Sequence, residues 1–244
     1  MKTAQRLFVQ APLAAGARVE LDAGQAHYLA HVLRLQAGAE VLVFNGVDGE
    51  WRTQLESAGR KGGAVVCTDR LRPQDGVPDL ELWFAPIKGD RCDAIAEKAT
   101  ELGAACLRPV ITERTIVRKP NLDRLRARAL EAAEQTGRLS VPQIAEAEPL
   151  ARVLAGLGPE RRVLFADEAG EAQPVAAVAA GLSGPLACLV GPEGGFTPAE
   201  RSVLRDHAQV VPVSLGPRIL RADTAAFAML ALVQAGWGDW RRPA

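Results

Sequence analysis

Two apolar runs in the carboxy-terminal third carry the clearest pattern in the chain. Residues 186–190 (LACLV) and 209–214 (QVVPVS) each predict a buried strand. Each run breaks into a glycine turn, the first GPEGG from Gly191 to Gly195, the second LGPR from Leu215 to Arg218. Each turn hands over to a helix. Thr197 is placed to cap the first, Pro198 suits its opening position, and Glu200 can close a capping box back onto Thr197. The second helix is expected from Asp223 to about Ala235. It is apolar nearly all round, Ala225 to Val233, so it must be covered on every side. Half of that cover is expected from the core and half from a second copy of the chain, with a purely monomeric core as the alternative. Strands that end in loops and pass into helices place a ligand site outside their carboxyl ends.

From Leu80 onward strands and helices alternate, which predicts an α/β domain with a parallel sheet. Strands are expected over 80–85, 106–111 and 161–166. Helices are expected over 90–102, with Cys92, Ile95, Ala99 and Leu102 as the buried stripe, over about 121–136 behind an Asn121 cap, and over 174–180. Residues 6–70 follow another grammar. Short runs at 41–44, 51–55 and 64–67 are separated by Asn45-Gly46, Asp48-Gly49 and Gly62-Gly63, with one helical stretch over 24–36. Short strands at that density suggest a small β-barrel. Residues 72–78 (RPQDGVP) have a linker's composition, so the expected domains are 1–72 and 73–244.

Composition narrows the class without naming it. The chain has 244 residues, 48% hydrophobic and 24% charged, with a formal net charge of +0, so no global field announces a polyanionic partner. A local basic face can still serve nucleic acid inside a neutral total. Cys67, Cys92, Cys106 and Cys188 are scattered, without CxxC spacing, and read as free thiols of a reducing cytoplasm. No secretory leader and no membrane-length apolar run appears, so a soluble intracellular protein is expected.

The glycine turns exclude some chemistry. GPEGG has neither the dinucleotide fingerprint nor the Walker spacing, and no Lys-Ser/Thr pair follows it. Such a loop still offers backbone donors at close approach, enough to hold an adenosyl or other polar group. On a helical wheel continued past the 121–136 helix, Arg124, Glu131, Gln135 and Arg138 fall on one polar face. That face reads either as a solvated stripe or as a contact for phosphate or a base. His27 and His31 are spaced as a weak metal pair, but no third ligand is near, so no metal is expected. The G-x-S-x-G elbow of an α/β hydrolase is missing.

GPEGGFTPAE, LGPRILRADTA, EKATELGA and EAAEQTGR together resemble the RsmE family of 16S ribosomal RNA methyltransferases, in the SPOUT superfamily. The segment His27-Tyr28-Leu29-Ala30-His31-Val32-Leu33-Arg34-Leu35 and the strand pair around Gly46 look like that family's PUA-like RNA-binding domain. The resemblance covers essentially the whole chain. It implies a SPOUT-type parallel sheet with a trefoil knot, a homodimer, S-adenosylmethionine as methyl donor, and uridine N3 in small-subunit ribosomal RNA as acceptor. On that reading Leu189, Gly191, Glu193, Gly194, Leu215, Gly216, Ile219 and Leu220 hold the cofactor. Arg221 or Arg218 stabilises charge on the uracil, and Arg6, His27, Arg34 and Arg138 contact RNA. The chain departs from the family where Thr and Glu usually follow ILR, having Ala222 and Asp223 instead. Asp223 is either the cap of the last helix or part of the chemistry. An RNA-binding protein of the same fold without methyl transfer is the alternative function.

Overall fold

The computed structural model describes residues 5–60, 62–168 and 172–241, which form two compact units. The first comprises residues up to Gly76 together with Ala133–Val141, and the second Val77–Ala132 and the chain from Pro142 onward.

In the first unit, β1 (Gln5–Phe8), β2 (Arg18–Leu21), β3 (Glu40–Phe44), β4 (Glu50–Gly59) and β5 (Gly62–Arg72) form one sheet in the order β1-β3-β4-β5-β2. The β1–β3 pair is parallel and the others antiparallel. One apolar cluster, including Leu7, Val19, Leu29, Val41, Val43, Leu55 and Val65, supplies the core. The turn between β3 and β4 is held by Asn45, whose Oδ1 accepts the Val47 and Asp48 N–H groups at 3.0 and 2.8 Å. The helical stretch is shorter than the sequence suggests. It runs as α1 (Ala23–His27) and continues through one π-helical turn, Tyr28–Val32. Arg34 then adopts φ +57°, which ends it.

The returning segment 133–141 is locked into this unit by a buried cation. Arg6 is 8% exposed and its guanidinium lies over the Phe44 ring, 4.6 Å from the centroid. Its Nε donates to Glu50 Oε1 at 2.6 Å, its Nη1 to the carbonyls of Ala133 and Glu134 at 2.8 and 2.9 Å, and its Nη2 to the Arg138 carbonyl at 2.9 Å. Arg72 completes the network on Glu50 at 3.0 Å. Burial by itself would raise the Glu50 carboxyl, but hydrogen bonds from Arg72 and Arg6 outweigh it and hold the group below its ordinary value.

The second unit alternates as expected: β6 (Leu80–Phe84), α2 (Asp90–Glu101), β7 (Cys106–Ile111), α3 (Leu122–Gln135), β8 (Gln143–Ile144), β9 (Glu148–Pro149), α4 (Leu150–Ala155), β10 (Arg162–Ala166), β11 (Gln173–Pro174), α5 (Val175–Ala180), β12 (Leu186–Val190), α6 (Pro198–Asp206), β13 (Val210–Ser214) and α7 (Ala222–Gly236). All its strand pairs are parallel, in the order β11-β13-β10-β12-β6-β7-β8, with β9 also on β7. Every residue of β6 and β12 is buried; β12 therefore reads as a continuous apolar run, whereas β6 buries Glu81, whose carboxylate accepts the Trp83 Nε1–H at 2.6 Å. Asn121 does cap α3, its Oδ1 accepting the Arg124 N–H at 3.0 Å. The four cysteines are free and buried, and burial pushes the Cys188 thiol up to about 12. Among the described residues no helix is long and apolar enough to cross a membrane.

Candidate functional site

The carboxyl ends of β10, β12 and β13, with the start of α7, surround a cavity of about 660 Å³. That volume suits a small-molecule ligand. The β12 loop is shaped by its glycines. Gly195 donates to the Pro192 carbonyl at 2.9 Å and adopts φ +65°. That positive φ is what calls for glycine there, since the closest atom a Cβ would meet is the end of the movable Glu168 side chain, with Oε1 at 2.5 Å. The capping box read from the sequence is formed: Glu200 N–H donates to Thr197 Oγ1 at 3.2 Å, and Thr197 N–H to Glu200 Oε2 at 2.9 Å. Outside the loop, Arg114 Nη1 donates to the Gly194 carbonyl at 2.7 Å. The β13 loop turns at Gly216, φ +103°, and enters α7 through Arg221 in extended conformation as the N-cap residue.

Charge in the wall falls into two kinds. Three carboxylates are paired: Glu193 with Arg91 at 2.9 Å, Glu168 with Arg201 at 2.9 Å, and Asp167, whose side chain is 1% exposed, with Arg205. Arg218 and Arg221 are different. Both line the cavity, both are exposed, and neither has an ion-pair or hydrogen-bond partner for its side chain among the described residues. A permanently charged planar group held free at a cavity rim is suited to receive an anionic oxygen.

Of the residues expected to hold a cofactor, Gly191, Glu193, Leu215, Gly216, Ile219 and Leu220 line this cavity. Leu189 lies instead in the core, fully buried in the cluster with Trp83 and Phe165. Gly194 stands outside the lining, its carbonyl accepting from the Arg114 guanidinium. Helix α7 begins at Ala222, so Asp223 is in its first turn rather than at its cap. Ala222 is buried and lines the cavity, while among the described residues the Asp223 Oδ1 accepts the Thr224 N–H, at 3.0 Å. Sequence reasoning misses Asp167, Glu168 and Arg201. Their pairing joins residues 33 and 38 apart, and no local pattern marks it.

The residues expected to touch RNA divide. Arg6 is corrected to a structural role: it is buried, and its guanidinium is spent on Glu50 and three backbone carbonyls. His27 and Arg34 are exposed on the first unit, His27 with its ring 4.7 Å from that of His31. Arg138 is half-buried, with Nε donating to Ser140 Oγ at 3.1 Å.

Fold and site together define an α/β protein in which two glycine loops at strand ends wall a cavity of small-molecule size. A family model for the RNA methyltransferase domain matches residues 75–234, and one for the RNA methyltransferase PUA domain matches 21–66. The ribosomal RNA small subunit methyltransferase E of Rickettsia conorii is 33% identical over 232 residues, 94% of each chain. That of Synechocystis is 35% identical over 95% of this chain and 78% of its own. The crystal structure of the Neisseria gonorrhoeae counterpart, bound to S-adenosyl methionine, aligns with a TM-score of 0.83 at 26% identity, covering 96% of this chain and 98% of that one. A Legionella pneumophila structure with bound cofactor SAM aligns with a TM-score of 0.86 at 27% identity, over 97% and 99% of the two chains. The chain belongs to the ribosomal RNA small subunit methyltransferase E family.

Proposed function

We propose that this protein transfers the methyl group of S-adenosylmethionine to N3 of a uridine in 16S ribosomal RNA of the small ribosomal subunit. Family membership supports the reaction class, and the cavity supports the donor. Its volume, its glycines at Gly191 and Gly216, and its apolar members Leu215, Ile219 and Leu220 fit an adenosyl group. When bound, the sulfonium supplies an already electrophilic methyl group.

The chain's own part is to orient and to stabilise. Uridine N3 becomes nucleophilic when its proton leaves, and negative charge then spreads onto the uracil carbonyl oxygens. Arg221 and Arg218, unpaired at the cavity rim, are placed to receive that charge, and this is the observation that carries the proposal. Arg91 pairs with Glu193 at 2.9 Å beside the cavity. His27, Arg34 and Arg138 are proposed as RNA contacts on the first unit. The proposal includes a homodimer, in which a second copy covers the stripe of Phe227, Ala228, Ala231 and Leu232 on α7. The first three of these are half-buried and Leu232 is 38% exposed. It also includes the trefoil knot of the superfamily and a cytoplasmic location.

The second reading, an RNA-binding protein without methyl transfer, is favoured by one observation: Ala222, part of the departure from the family pattern, lies in the cavity wall. Titration calorimetry with S-adenosylmethionine separates the two. Saturable binding at one site per chain is expected, and absence of heat at millimolar donor would remove the enzyme reading.

A further inference from the structure

A second hollow, of about 440 Å³, opens beside the loop cavity and shares Phe196 and Arg201 with it. Its lining carries three guanidinium groups, Arg114, Arg201 and Arg205, against a single carboxylate, Asp206. Two of the three are fixed by the carboxylates that follow β10. Arg201 Nη2 donates to Glu168 Oε1 at 2.9 Å, and Arg205 Nε to Asp167 Oδ2 at 2.8 Å. Consecutive carboxylates thus hold arginines one helical turn apart on α6. Arg201 keeps a buried Nε with no hydrogen-bond partner. Arg114 is exposed and has only the Gly194 carbonyl as partner, with no carboxylate among the described residues close enough to pair with it. The hollow therefore presents two guanidinium groups oriented by carboxylates and the exposed guanidinium of Arg114, with Asp206, bonded to the Ser202 hydroxyl, as the carboxylate of its lining.

We propose that this hollow is a subsite for a phosphodiester of the RNA strand flanking the methylated nucleotide, with Arg114 as its principal contact. The inference rests on the RNA methyltransferase reading of the neighbouring cavity. A phosphodiester brings one negative charge and acceptor oxygens that match the planar fork of a guanidinium. Arg114 would meet it while also holding the outer side of the β12 loop. The sequence alone points to RNA contacts only at Arg6, His27, Arg34 and Arg138, so this subsite adds contacts within the second unit.

The test compares the full-length protein with Arg114→Gln and Arg114→Lys, measuring binding to small-subunit ribosomal RNA across a salt series, methyl transfer, and S-adenosylmethionine affinity. Removing one phosphate neutralisation lowers the slope of log affinity on log salt by about 0.7–0.9. Arg114→Gln is expected to reduce the slope by about that much and to raise the KM for RNA several-fold, a larger change than any in donor affinity. Arg114→Lys is expected to recover most of the slope, because a point charge still neutralises the phosphate. Added inorganic phosphate at the concentrations used for RNA should leave both readouts unmoved; competition by it would assign the hollow to free phosphate and overturn the RNA subsite. An unchanged salt slope in Arg114→Gln would overturn it as well. So would a loss of donor binding that accounts for the whole defect, since Arg114 would then be only a strut of the loop. If the unaltered protein transferred no methyl group, the reading of the neighbouring cavity would fail, and the salt slopes would still decide the hollow.

Discussion

Replacing Gly191 with alanine adds one methyl group to the cavity wall, at a position the structure fixes. The new Cβ would lie 2.6 Å from Cε2 and 3.0 Å from Cδ2 of Phe196. Favourable carbon contacts lie near 3.5–4.0 Å, so something must move. The ring has little room: Phe196 is 4% exposed, stands edge-on to Phe165 with centroids 5.0 Å apart, and belongs to the cluster that includes Leu204 and Val210. Overpacking of this kind costs about 1–3 kcal/mol. Two responses are open. If the ring yields, the cost appears in stability, at about 2–4 °C of melting temperature per kcal/mol for a chain of this size. If the loop yields, the cavity wall is displaced, and about 1.4 kcal/mol of it would weaken the donor tenfold. Gly194→Ala is the internal control, because its Cβ would meet only Arg114 side-chain atoms at 3.5 Å, an ordinary contact. Neither glycine has a positive φ, so backbone strain does not confuse the comparison. Calorimetry with S-adenosylmethionine and thermal unfolding on both variants read the outcome. Gly191→Ala should lose affinity, stability or both, and Gly194→Ala should match the unaltered protein. Wild-type affinity and melting in Gly191→Ala would refute the packing argument. A larger loss in Gly194→Ala would put the ligand on the other side of the loop.

Two further outcomes are expected. Arg221→Ala should lower kcat by about 10²–10³, the usual cost of removing one donor to developing charge, while donor affinity stays within a few-fold; unchanged turnover would take Arg221 out of the chemistry. Glu50→Gln leaves Arg6 buried without its counter-ion and should cost about 3–5 kcal/mol near neutral pH. Because the Glu50 carboxyl is held below its ordinary 4.5 in the folded state, its contribution is present above that value and fades as pH falls through the lower folded value. Urea unfolding of variant and parent should therefore converge in acid, and a gap that persisted at the lowest pH would show that the network acts through packing alone.

Much of this site is legible in the sequence, for a physical reason. Strands buried on both faces leave continuous apolar runs, as at 186–190, and a helix start leaves its cap in the sequence, as at Thr197 and Glu200. Both are local patterns. The pairs of Asp167 with Arg205 and Glu168 with Arg201 are not, because each joins the loop after β10 to α6, 38 and 33 residues further along. Arg6 shows the same limit from the other side. An arginine in a short strand next to apolar residues reads as a surface cation, and only the returning carbonyls at 133–138 explain its burial. The short helix α4 (Leu150–Ala155) is not legible, because six residues hold too little periodicity to distinguish it from a loop. Leu189 points to the cavity only by its place next to the loop. In β12 all five residues are buried, and the wall begins only at Val190.

The most direct test of the central claim is to map the products after incubating the protein with S-adenosylmethionine and small-subunit ribosomal RNA from cells lacking this gene. The RNA should be supplied both free and in assembled subunits. Mass mapping should find one added methyl group on a single uracil, at the N3 position that blocks base pairing. A methyl group on another atom would contradict the uridine-N3 assignment. Donor binding with no methyl transferred to either form of the RNA would contradict the enzyme reading itself.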